Sequence, residues 1–81
     1  MNLQLYRLEE GYLVCPASGS VPASYASELR GRRPDMNFLS RDTVGRKFIE
    51  DHMKLNGFIL MDEAVANIML ANYPAWVTRT F

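Results

Sequence analysis

The residues able to carry chemistry in this chain are few. One cysteine, Cys15, and one histidine, His52, are together the minimum for a thiol nucleophile and its base. Cys15 stands among apolar neighbours at the end of an extended-looking stretch, where a thiol behaves as a small hydrophobe. His52 falls on the apolar stripe of a helix-like segment, the position of a core or core-edge histidine. A zinc site would need carboxylates for its remaining ligands, and no recognised ligand spacing occurs, so neither a metal nor a cofactor is expected. Carboxylates occur in adjacent pairs, Glu9-Glu10, Glu50-Asp51 and Asp62-Glu63. Adjacent residues do not face one another on a helix, so the pairs read as a solvated turn, a helix face and a helix start rather than as acid and base. The glycines at 11, 19, 31, 45 and 57 never gather into a phosphate-cradling loop.

Charge is the more informative signal. Nine basic and nine acidic residues cancel, so no whole-molecule field draws the chain to nucleic acid or to an anionic membrane. The distribution is uneven, however. Arg30, Arg32, Arg33, Arg41, Arg46 and Lys47 are six of the nine basic residues, packed into 18 positions with Asp35 and Asp42 as the acids between them. Glu50, Asp51, Asp62 and Glu63 follow, opposed by Lys54. A basic face beside an acidic one is the expectation. Arginine dominates the basic stretch, and its planar fork suits carboxylate or phosphate contacts. Arg30, Arg32, Arg33 and Arg41 are therefore the candidate partner-binding residues, joined by Trp76 and Phe81, which lie beyond the last helix and either pack on the first hairpin or anchor an interface.

These residues need a scaffold. Eighty-one residues with 48% hydrophobic and 22% charged content match one ordinary globular domain, residues 1–81. The stretch from Asn2 to Leu8 and the stretch from Tyr12 to Cys15, joined through Glu9-Glu10-Gly11, predict an antiparallel hairpin in which Leu3 and Leu5 share the core face. Residues 16–20 are a loop. Val21, Tyr25 and Leu29 recur at helical spacing, with Pro22 in the first turn and Gly31 past the end, so a short helix follows. Pro34 breaks the periodicity, and residues 31–39 are expected to run as a surface loop.

A second helix is predicted from a Ser40 N-cap to Asn56-Gly57, burying the stripe Val44, Phe48, Ile49, His52 and Leu55. Phe58-Ile59-Leu60 re-enters the core as a brief strand or a buried loop. A third helix is capped by Asp62 and runs from Glu63 to Tyr73, with Val65, Ile68, Met69 and Tyr73 inward and Pro74 as its stop. Residues 75–81 have strand composition and are placed beside the hairpin. The fold class is α+β, a small antiparallel sheet made of the N-terminal hairpin plus a C-terminal strand, packed against about three helices.

The helix pair 41–56 and 62–73 does not suit a helix-turn-helix, because the second helix has no basic residue and begins with two acids. The first seven residues lack a basic region followed by an apolar stretch, and the longest apolar run, Phe58 to Met61, is far below the roughly 20 residues that cross a bilayer. With a lone cysteine, these features point to a cytoplasmic protein without membrane contact. Three classes of function follow. The first is a non-enzymatic protein-binding module, an inhibitor or adaptor of a larger machine, a profile shared by small phage and mobile-element proteins that act on host defence or nucleic-acid-processing complexes. The second is a weak nucleic-acid binder using the Arg30 to Arg33 loop with Arg41, Arg46 and Lys47. The third is a subunit of an enzyme or ligand-binding oligomer, completed by a partner or by a second copy in a homodimer.

Overall fold

The computed structural model describes residues 1–19, 21–74 and 76. Its frame is a four-stranded antiparallel sheet built from β1 (Asn2–Leu8), β2 (Gly11–Pro16), β3 (Met36–Leu39) and β4 (Ile59–Met61), in the order β3-β1-β2-β4. Three helices accompany it: α1 (Ala23–Ala26), α2 (Arg46–Asn56) and α3 (Glu63–Met69). This is the α+β class with an antiparallel sheet that the sequence predicts. Among the described residues no helix is long and apolar enough to cross a membrane.

The β1–β2 hairpin forms where expected, with Leu8 opposite Gly11 and Leu3 opposite Pro16. Glu9 and Glu10 make the turn. Gly11 has φ +119°, and a Cβ built there would lie 2.5 Å from the Met61 carbonyl oxygen. Glycine thus serves both the turn and the close approach of β4.

Residues 3–6 and 12–15 are buried without interruption, which requires cover on both faces of the sheet. On one face Leu3, Leu5, Tyr12, Val14, Phe38, Ile59 and Met61 meet Ile49 and Met53 of α2, Ala66 of α3, Leu70 and Trp76. On the other, Tyr6, Leu13 and Cys15 meet Leu29, with Val21, Tyr25 and Phe58 at the margin. Gln4 also lies on this second face, and its Nε2 donates to Cys15 Sγ at 3.5 Å.

Several elements differ from the sequence expectation, each for a local reason. The surface loop predicted over 31–39 ends in β3: Asp35 N–H donates to the Leu5 carbonyl and Ser40 N–H to the Met1 carbonyl, while Phe38 and Met36 turn into the first core. α2 begins at Arg46 rather than at Ser40. Ser40 is fully buried and its hydroxyl donates to Glu50 at 2.5 Å, so it caps no helix; residues 40–42 form a single 3-10 turn. Val44 N–H bonds the Met69 carbonyl, and Gly45 packs so closely on Met69 that a Cβ would collide with its sulfur. The chain is thus docked on the end of α3 immediately ahead of the first turn of α2.

That start also rotates the buried stripe. Ile49 and Met53 face inward, whereas Val44, Phe48 and Leu55 are exposed, Leu55 by 80%. Of the predicted α3 stripe, Val65, Met69 and Tyr73 pack against the core, where Ala66 and Leu70 are fully buried, while Ile68 is exposed. The predicted caps hold at both other ends. Gly57 adopts a left-handed φ of 78° with its N–H on the Met53 carbonyl, and the Asp62 carboxylate accepts from Val65 N–H at 2.8 Å.

The terminal strand predicted over 75–81 lies outside the described residues except at Trp76, whose backbone N–H bonds the Tyr73 carbonyl in a helical turn. The positions on either side of the hairpin are taken by β3 and β4.

Gly11→Ala tests the turn. The strained φ and the Met61 carbonyl together should cost about 2 kcal/mol, lowering Tm by roughly 10 °C in a thermal melt. An unchanged Tm would contradict the geometry.

Candidate functional site

The sheet decides the chemistry of the cysteine and the histidine. Cys15 is fully buried in the core beneath α1, and burial pushes its thiol pKa up. His52 belongs to α2, which covers the opposite face through Ile49 and Met53. Its Nδ1 lies 2.9 Å from the Phe48 carbonyl, and its ring packs on Phe48 with centroids 4.2 Å apart. The sheet stands between the two residues, so they form no dyad. Among the described residues no group of three or more His, Cys, Asp or Glu is arranged to hold a metal ion.

The basic stretch is divided. Arg32 Nη2 is 3.1 Å from Asp35, whose carboxylate also accepts the Arg7 backbone N–H at 2.6 Å. This pair pins the 31–35 segment beside the Leu5 end of β1, with Arg30 and Arg33 exposed around it. Arg41, Arg46 and Lys47 follow β3, past the Met1 end of β1. Five residue steps of extended chain separate Asp35 from Ser40, about 16 Å, so the predicted single basic face becomes two clusters. Arg46 is engaged with Glu50 at 3.2 Å, and hydrogen bonding from Ser40, reinforced by Arg46, holds the Glu50 carboxyl below the ordinary glutamate range.

Trp76 is 2% exposed. It packs edge-on against Tyr12 with centroids 5.1 Å apart, and its indole N–H donates to Asn67 at 3.0 Å. Of the two roles open to it, packing on the hairpin is the one observed; it is not a surface anchor. Phe81 lies outside the described residues.

The acidic residues assemble differently from their order in the chain. Glu9 and Glu10 occupy the β1–β2 turn. β4 pairs with the start of β2, Met61 opposite Tyr12, and so delivers Asp62 and Glu63 to the same end of the sheet. The segment after α1, held down by Tyr25 and Leu29 on the second core, adds Glu28. A groove of about 410 Å³ results, rimmed by Glu9, Glu10, Glu28 and Asp62 and walled by Leu8, Tyr25 and the half-exposed Leu60. A second hollow of about 390 Å³ shares the turn and Asp62, is lined also by Arg7, and is edged by Glu63, which accepts the Tyr12 hydroxyl at 2.5 Å.

The two ion pairs among the described residues, Arg32–Asp35 and Arg46–Glu50, both lie elsewhere. Four carboxylates around one low-dielectric wall concentrate a negative potential. The groove can recognise positive charge attached to apolar side chains.

The two carboxylate pairs are legible in the sequence; their convergence is not. The pairing of β4 with β2 joins residues about 50 positions apart, and no local pattern announces it.

Two measurements follow from these environments. Cys15 should react with a thiol reagent only as fast as the protein unfolds; rapid labelling of the native chain would contradict its burial. The depressed Glu50 pKa contributes stability above the ordinary glutamate value of about 4.3, and this is lost as pH falls through the lower folded value. The wild type should therefore melt above Glu50→Gln at pH 7, with the gap closing below about pH 4. A gap that stays constant to about pH 3 would contradict it.

No protein-family model, no curated protein and no solved structure matches this chain, so its function is argued from this geometry.

Proposed function

We propose that this chain is a non-enzymatic protein-binding module, an inhibitor or adaptor, which takes a basic segment of a partner protein in the groove between the β1–β2 turn, Glu28 and β4. The observation that carries this reading is the convergence of Glu9, Glu10, Glu28 and Asp62 from three separate chain segments onto one groove with apolar walls. A neutral chain that gathers acids at one end complements a cationic surface, and such complementarity selects partners and speeds their encounter. Leu60 and Tyr25 supply apolar contact for the stems of lysine or arginine side chains.

Arg30, Arg33 and Arg41 remain accessible outside the groove. They suit a contact with an acidic surface, as in an adaptor that bridges two oppositely charged partners. The nucleic-acid reading has less support, because Arg32 and Arg46 are committed to Asp35 and Glu50 and the remaining cations are divided between two places.

The test is fluorescence anisotropy with a labelled lysine-rich peptide and an acidic peptide of equal length. The wild type should bind the basic peptide alone, more weakly as salt rises. The double change Glu10→Lys, Glu28→Lys should weaken that binding by about tenfold or more. Equal affinity for both peptides, or binding indifferent to the double change, would remove the proposal.

A further inference from the structure

The hydrogen-bond parity of the sheet identifies how a partner segment enters this groove. In an antiparallel strand each residue directs its N–H and C=O to the same side, and successive residues alternate. Leu5 and Met1 accept from Asp35 and Ser40, on the β3 side, whereas Asn2 accepts from Ala17, on the β2 side. Odd residues of β1 therefore serve β3 and even residues serve β2. Cys15 and Leu13 stand opposite Gln4 and Tyr6, so these two bond β1, and Tyr12 and Val14 turn towards β4. Their partners there are Met61 and Ile59. Leu60 between them directs its N–H and C=O outward, away from the sheet. Asp62, still extended at φ −83° and ψ 176°, continues the alternation and directs its N–H outward as well.

The two edges of the sheet are treated differently. At β3 the outward residue is Asn37, by the same parity, and its carbonyl accepts the Tyr73 hydroxyl at 3.2 Å. At β4 no described residue bonds the outward groups of Leu60. Its side chain, 50% exposed, forms part of the wall of the carboxylate-rimmed groove. Strand edges left open in this way are templates for another strand unless charge or proline blocks them.

We propose that the β4 edge is the docking line, and that an extended basic segment of the partner protein adds to it as a fifth strand. Its backbone pairs with Leu60 and the Asp62 N–H, and its lysine or arginine side chains reach Glu28, Asp62 and the turn. This is strand addition, in which main-chain bonds supply affinity and side-chain pockets supply selectivity. The occupant is basic rather than a second copy because pairing through β4 of two copies would set one carboxylate-rimmed groove beside another. The inference rests on the protein-binding reading above and specifies its mode.

The probe is an eight-residue peptide alternating lysine and valine, titrated into the full chain. Leu60→Pro removes an N–H that has no internal partner and is tolerated on an edge facing solvent. It should keep the fold, checked by circular dichroism, and weaken binding by about tenfold or more. In the wild type, hydrogen exchange at the Leu60 amide should slow by at least about tenfold on binding. If Leu60→Pro does not fold, the wild-type exchange measurement decides alone. Peptide binding with unchanged Leu60 exchange would overturn strand addition while leaving a basic partner in the groove. No binding by the wild type would overturn both. Protection of Leu60 by concentration-dependent self-association without peptide would overturn the choice of occupant.

Discussion

Strands β1 and β2 are covered on both faces, and this double burial governs the rest of the structure. A hairpin is marginal alone in water; here α2 and α3 close one face through Ile49, Met53, Ala66 and Leu70, and the α1 segment closes the other through Leu29 and Tyr25. With both faces occupied, β3 and β4 can join the hairpin only at its sides, which gives the order β3-β1-β2-β4. The placement of β4 in turn fixes where α3 begins, and Asp62 and Glu63 arrive beside the β1–β2 turn as a consequence of packing.

The same arrangement sorts the charges. β1 runs from the neighbourhood of Ser40 and Arg41 to the Glu9-Glu10 turn, and the chain returns along β3 in the opposite direction. Cations therefore collect beside the start of β1 and along the 30–33 segment, while five of the nine acids, Glu9, Glu10, Glu28, Asp62 and Glu63, collect at its end. The zero net charge thus hides local concentrations: Arg7 and the 30–33 arginines lie near the acid-rich end, and Arg41, Arg46 and Lys47 lie past the start of β1. Ion pairs form where the sequence places partners close together, as in Arg32–Asp35 and Arg46–Glu50, and the acidic groove is the region those pairs leave out.

Much of the local structure was legible from residue types. Gly57 as a left-handed cap, Asp62 as an N-cap and the Glu9-Glu10-Gly11 turn all follow from chemistry confined to a few neighbours. Nonlocal pairing was not. Met36 and Phe38 alternate with Asn37 as an edge strand should, but the proline and arginines before them carry the signature of a loop. Gln4 on β1 is polar yet buried against Cys15, on the face opposite Leu3 and Leu5. In α2 the apolar residues Phe48 and Leu55 outnumber what the core can accept, and the docking of Val44 and Gly45 on Met69 selects Ile49 and Met53 instead. For the site, the carboxylate pairs were visible as pairs; their assembly required the β2–β4 register.

The proposed role of the acidic end of the sheet is to receive a basic partner segment. The most direct measurement is backbone amide chemical-shift mapping during titration with a lysine-rich peptide. The largest shifts should cluster at Glu9, Glu10, Glu28, Leu60 and Asp62, with Arg41 and Lys47 little changed. Shifts concentrated at Arg41, Lys47 or the exposed Phe48–Leu55 face of α2, with the groove unmoved, would contradict it.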